Sequence, residues 1–240
     1  MLTRSYPIYI TALIMIFALG MLGCSSKTPQ KTDASTTTQR VDTVPKTLAI
    51  FPFDNNSVTT PEKYSPLSKG VAAMLITDLS REGTGMKLIE RAKIDTLLKE
   101  VALSQSGTID QATAIQVGKI LGAQAIAFGS FMVLDTTVRI DLRIINVETS
   151  ELIMADRVMG SSSNFIDLEQ KLAQNIARSL KVAFKPEPAS GTSGLGAALY
   201  FSEGVQAYDT GDIQMANHLF DKAISADPSY QDKVRNIRGL

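Results

Sequence analysis

The stretch Thr136-Thr137-Val138-Arg139-Ile140-Asp141-Leu142-Arg143-Ile144-Ile145-Asn146-Val147 decides the fold. Val138, Ile140, Leu142 and Ile144 alternate with Arg139, Asp141 and Arg143. Successive side chains of a strand point to opposite faces. One face of this strand is therefore buried and the other wet, as in an antiparallel sheet covered on one side. Strands at about 124–133 and 151–159 flank it, joined through short connections at Asp135 and at Thr149-Ser150. The Arg139/Asp141/Arg143 stripe reads as a solvated sheet face, with an oligomer contact as the alternative.

Upstream of this meander, Thr47–Asp54 is an apolar run that Pro52 makes an edge strand or ends early. Ser65-Pro66 reads as a helix start, Ser at the N-cap and Pro at the first helical position. Leu67, Val71, Met74, Leu75 and Leu79 then mark one helical face. A short strand follows at Met86–Ile89. Ile94, Leu97, Leu98 and Val101 form the stripe of a second helix, and Asp110 caps a third with Ala114, Val117, Gly118 and Leu121 inward. Downstream, Phe165, Leu168, Leu172, Ile176 and Leu180 place a helix over 164–184, introduced by the hydroxyls of Ser161-Ser162-Ser163. Residues 185–196 carry two prolines and three of the chain's glycines and read as a linker. The expected fold class is α/β (α+β): a mixed sheet with helices on one face, followed by a small all-α helical hairpin over 197–240.

The N-terminus has its own signature. Arg4 precedes an apolar run from Ile8 to Leu22, then Gly23 and Cys24, the chain's only cysteine. That is the order of a secretory signal ending in a small residue. Met21-Leu22-Gly23-Cys24 resembles a lipobox, so Cys24 is the expected lipidation site and residues 1–23 the expected signal peptide. An uncleaved transmembrane helix needs ~20 apolar residues, more than this run offers. Each buried acyl methylene contributes about 0.8 kcal/mol and one chain alone is marginal, so the two or three chains usual for such lipoproteins make a lasting anchor. Ser25, in place of an aspartate, points to the outer membrane by the sorting rule of diderm bacteria. Residues 24–46, rich in Ser, Thr, Gln and Lys, read as a solvated tether spanning ~25 Å as a coil and ~75 Å extended.

Several residue sets in the central region resemble the CsgG family of curli-assembly lipoproteins and the related TolB N-terminal-like domains. They are Leu48-Ala49-Ile50-Phe51-Pro52-Phe53, Leu88-Ile89-Glu90-Arg91 with Leu97-Leu98-Lys99-Glu100, Gly118-Lys119-Ile120-Leu121-Gly122-Ala123 with Gly129-Ser130, and Arg143-Ile144-Ile145-Asn146-Val147-Glu148-Thr149. The resemblance covers about 47–184. It implies a non-enzymatic assembly or secretion factor of the envelope, with protein partners and a possible homo-oligomer. In channel-forming members each subunit gives two extra β-hairpins to a barrel, whose strands need ~9–11 residues each. The connections at Asp135 and after Met159 leave no room for them. The expectation is therefore the periplasmic domain without the pore, with a channel subunit as the alternative.

Residues 197–228 resemble one tetratricopeptide repeat. Tyr200, Gly204, Gly211, Ala216, Phe220, Ala223 and Pro228 match its spacing, while Glu203 and Ala207 depart from it and Tyr208 stands in for the latter. A lone repeat cannot bury its own face. The hairpin should dock on the main domain or on a neighbouring subunit, with 230–237 as a capping helix. Tyr200 and Tyr208, with Glu90 and Arg91 at the strand-to-helix junction, are the candidate partner-binding residues.

Other chemistry is absent from the pattern. Basic and acidic residues balance at 24 each, which gives no field for nucleic acid. His218 is the single histidine and has no ligand-spaced companions. Gly191–Gly196 lacks the Lys-Ser/Thr of a phosphate loop, and no base is placed to activate Ser161–Ser163. No catalytic residue, metal or cofactor is expected.

Overall fold

A computed structural model describes residues 44–81, 85–104, 110–186 and 194–239. The signal segment, Cys24, most of the tether and the centre of the linker lie outside the described residues.

The alternating stretch forms β5 (Thr137–Asn146), paired antiparallel with β4 (Ala125–Leu134) and β6 (Leu152–Ser161). The β4–β5 connection is the pair Asp135-Thr136, with Asp135 at φ 50°, a conformation that Asp tolerates better than most residues. On the other side of β4 runs β1 (Thr47–Ile50), parallel to it and to β3 (Lys87–Leu88). The strand order is β3-β1-β4-β5-β6.

Pro52 ends β1 early, as expected, but β1 is an internal strand. The chain then swells outward for one residue and rejoins β4 as β2 (Asp54–Asn55), opposite Ser130 and Phe131. The Phe53 N–H donates to the Ser68 carbonyl instead of to the sheet, at 2.9 Å. This extra residue resets the alternation. Leu48 and Ile50 share one core with Phe53, while Ala49 and Phe51 belong to the other.

Those two cores correct the expected single helical face. On one side lie α2 (Leu67–Leu79), α5 (Phe165–Ser179) and the C-terminal helices α6 (Leu195–Asp209), α7 (Ile213–Ala226) and α8 (Tyr230–Arg238). On the other side, α3 (Arg91–Ser104) and α4 (Gln111–Ile120) cover β1 and the adjoining ends of β4 and β5 through Ile94, Leu98, Ala114 and Val117. The rest of that face, over the outer meander, is open as the alternation predicted. The mixed α/β (α+β) class stands.

Local chemistry shifts several ends. A short α1 (Pro61–Tyr64) precedes α2, and the Ser65 hydroxyl bonds back to the Pro61 carbonyl at 3.2 Å. Ser65 therefore does not cap α2, which starts at Leu67 behind Pro66. Asp110 does cap α4, accepting from the Thr113 N–H at 2.8 Å. Ser161 caps a 3-10 turn over Ser162–Asn164, and α5 starts after it at Phe165. α5 stops at Ser179, short of 184, because Lys181 turns left-handed (φ 54°) and the Val182 N–H returns to the Ala177 carbonyl at 2.9 Å, a Schellman ending. α6 begins at Leu195, inside the expected linker.

α2 is buried around its whole circumference, between the sheet and the C-terminal helices. Gly70 allows this approach: a Cβ there would fall inside the Ser202 side chain of α6. Gly204 gives the same clearance to the Phe220 ring of α7.

Candidate functional site

The open part of the sheet is a concave surface of about 860 Å³. Its rims are Asp54 and Asn56 beside β4 and Asp110 and Gln111 at the start of α4. Register stacks its floor in rows across β4, β5 and β6: Phe128–Arg143–Ala155, Ser130–Asp141–Arg157 and Met132–Arg139–Met159.

Asp141 is the hub of this face. Arg139 donates to it through Nε at 2.6 Å and Nη2 at 2.8 Å, and Arg157 Nε donates at 2.9 Å. The Arg139 hydrogen bonds, helped by Arg157, hold the Asp141 carboxyl below its usual range against partial burial. A carboxylate so engaged is a poor proton acceptor. Burial raises Asp54. Arg143 is exposed and makes no ion pair among the described residues, and Met159, beside Arg139 at the far side of the Asp141 row, is 66% exposed. Among the described residues no cluster of His, Cys, Asp and Glu could hold a metal. The surface offers an unpaired guanidinium, a fixed Arg–Asp–Arg row and apolar Met and Phe side chains. Such a set offers charge and apolar contact rather than proton transfer.

The four residues proposed as partner contacts are not gathered into one patch. Glu90 is exposed and pairs with Lys93 at 3.3 Å. Arg91 turns inward, reaching Asp95 at 3.1 Å and Asp209 at 2.7 Å. Lys69 of α2 joins the same carboxylates at 3.0 and 2.7 Å. Arg91 is thus engaged within the chain, binding α3 to the end of α6, where Tyr208 is half-buried against the core. Tyr200, 39% exposed, sits about 12 Å back along α6 with the Lys222 ammonium over its ring at 5.4 Å. Burial alone would raise Asp209, but hydrogen bonds from Arg91 and Lys69 outweigh it and leave the carboxyl below its usual value.

Sequence reasoning missed a second charged cluster. Lys233 of α8 is 1% exposed, with its Nζ 2.6 Å from Asp78 of α2 and 3.4 Å from Glu169 of α5. The signal was present. Asp78 lies four residues after Met74, Glu169 four after Phe165, and Lys233 three after Tyr230, each on the apolar stripe of its helix.

With this geometry in place, the chain can be compared with known proteins. Residues 24–139 match the family model for the curli production assembly/transport component CsgG. The matched segment runs from Cys24 through β1 to β4 and into β5. No curated protein matches the chain. Among solved structures, lipoprotein GNA1162 from Neisseria meningitidis is 18% identical, covering 57% of this chain and 99% of its own at a TM-score of 0.42. The LpoB C-terminal domain from Salmonella enterica is 13% identical, covering 48% and 82% at 0.34. The PelC dodecamer from Paraburkholderia phytofirmans is 11% identical, covering 57% and 89% at 0.38. The family match ends before the C-terminal helices.

Proposed function

We propose that this chain is a CsgG-type lipoprotein held through acyl chains on Cys24 at the periplasmic face of the outer membrane. It acts there as a non-enzymatic accessory factor in assembly or secretion, binding other proteins of the envelope. The observation that carries this reading is the coincidence of two signals at one residue. The Gly23-Cys24 junction behind the apolar run is also where the CsgG match begins. Residues 1–23 are the signal peptide, 24–46 the tether and 47–184 the CsgG-like domain. The segment 197–240 is a tetratricopeptide-like hairpin with a capping helix.

The tight connections favour an accessory role over a channel subunit. Two residues join β4 to β5, and only the Ser162–Asn164 turn separates β6 from α5. Connections this short leave no place for additional barrel hairpins, whose strands need ~9–11 residues each, between β4 and α5. No described helix is long and apolar enough to cross a membrane. The open sheet face is the surface we assign to the protein partner.

Mass spectrometry of the mature N-terminal peptide tests the anchor. The expected product starts at residue 24 and carries a thioether-linked diacylglycerol. A free thiol on Cys24 refutes the proposal. Single-channel recording in planar bilayers tests the accessory role, and the expected conductance is nil.

A further inference from the structure

The Asp78–Glu169–Lys233 cluster is unbalanced. Two carboxylates face one ammonium in a site that water does not reach, with Asp78 5% and Glu169 0% exposed. Lys233 lies against Asp78 at 2.6 Å but only at 3.4 Å from Glu169. Glu169 Oε1 has no hydrogen-bond partner. Were both carboxylates ionised, a net negative charge would remain in a low-dielectric site, a state that buried groups avoid by taking up a proton. The geometry designates the carrier: Asp78 takes the short contact to the ammonium, and Glu169 the long one with an orphaned oxygen.

We propose that a proton on Glu169 fastens α8 to α2 and α5, so that the C-terminal helix is a strap that closes in acid and loosens as pH rises. The groups facing Glu169 are known from each element packed on it. α2 presents Asp78 and α8 presents Lys233. α6 contributes Ala198, Ser202 and Val205 to the same core and no charged side chain. β6 sends Asp156 to Asn175, further along α5, at 2.6 Å. Further polar contacts of α8, Arg81 with Asp232 at 3.8 Å, Asn236 with Ser80 at 3.5 Å and Arg238 with Asn217 at 2.7 Å, lie near the surface.

Burial first, then the Asp78 charge, push Glu169 well above its usual value, and Lys233 only partly offsets them. Burial by itself would lower Lys233, but the two carboxylates outweigh it, so the ammonium stays charged throughout this window. The sign follows. When α8 lifts, Glu169 meets water and regains an ordinary value of 4.5. The strapped state therefore holds more protons than the open one above that pH. Each pH unit of rise then favours opening by up to about tenfold. Opening uncovers Tyr230 and Val234, both fully buried when closed, and the α2 surface beneath them.

Amide hydrogen exchange on the full-length chain tests the strap. Residues 230–238 are compared with those of α4 between pH 5 and 9, each corrected for intrinsic exchange. The expected protection of α8 relative to α4 falls by up to about tenfold per pH unit, and in Glu169→Gln it stays flat. A flat wild-type ratio, or an unchanged slope in Glu169→Gln, overturns the proposal. Should Glu169→Gln not fold, carboxyl carbon NMR of the wild-type chain decides. Glu169 is expected protonated at pH 6, and an ionised carboxylate there overturns the strap.

Discussion

Replacing Lys233 with methionine isolates the energetics of the buried cluster. Methionine keeps an unbranched apolar stem of similar length, so packing against α2 and α5 changes little. What is lost is the ammonium 2.6 Å from Asp78 and 3.4 Å from Glu169. Removing one partner of a buried ion pair strands the other, at about 3–5 kcal/mol. Here Asp78 is stranded while Glu169 already carries its proton, so the loss should lie near 3 to 4 kcal/mol by the same measure. With a urea slope of about 2 kcal/mol/M, the unfolding midpoint should fall by roughly 1.5–2 M at pH 7. Arg235→Ala, on the exposed side of the same helix, should shift stability by no more than ~0.5 kcal/mol. The apolar triple variant Asp78→Leu, Glu169→Leu, Lys233→Met should recover most of the loss, because it strands no charge. A loss below ~1 kcal/mol for Lys233→Met, or no recovery in the triple variant, would show that the ammonium is not paired in a dry site.

Four further outcomes are expected. Gly70→Ala drives a methyl into Ser202 and should destabilise by about 1–3 kcal/mol in chemical denaturation; adding Ser202→Gly should recover a large part, and additive losses would mean that α2 and α6 do not touch there. Asp209 is held below its unfolded value, so its contribution is present above about 3.8 and lost as pH falls through the folded value. Acid unfolding followed by circular dichroism should therefore lose this component in Asp209→Asn. Arg143→Glu should leave stability within ~0.5 kcal/mol while weakening crosslinking of envelope proteins to the open sheet face. Deleting residues 195–240 should give a chain that binds a hydrophobic dye and elutes as aggregate; a monomer that unfolds cooperatively would refute the shared core.

Periodicity gave a legible outline because it reports which side of an element meets apolar neighbours. The four apolar residues of β5 and the stripe from Phe165 to Leu180 were readable for that reason, and all are buried. Periodicity does not report which layer supplies those neighbours. The stripe Ile94–Leu98 says that α3 is covered, and only the one-residue swelling at Phe51–Phe53, forced by Pro52, goes with a second core on the far face. The open site was half legible. Arg139, Asp141 and Arg143 were visibly a wet stripe, but its concavity comes from α4 and β2 at the rims, which depends on long-range packing. Asp78, Glu169 and Lys233 show the cost of reading a stripe for its apolar members alone. A charge at an apolar position is a statement that a partner exists, and the three statements here answer one another across 155 residues.

The same logic explains how the C-terminal helical hairpin of α6 and α7 is held. A hairpin with an apolar inner face needs an apolar neighbour, and α2 is that neighbour. Its Gly70 lets α6 approach to backbone distance, and its Asp78 takes the Lys233 ammonium from the last helix. The two charged joints differ in kind. Lys69, Arg91, Asp95 and Asp209 are balanced and partly wet, so the first joint holds across the neutral range. Asp78, Glu169 and Lys233 are unbalanced and dry, so the second depends on one proton. A hairpin fixed firmly at the end of α6 and conditionally at α8 would open from its C-terminal end, with Tyr230 and Val234 leaving first. That order of opening follows from charge count and burial alone.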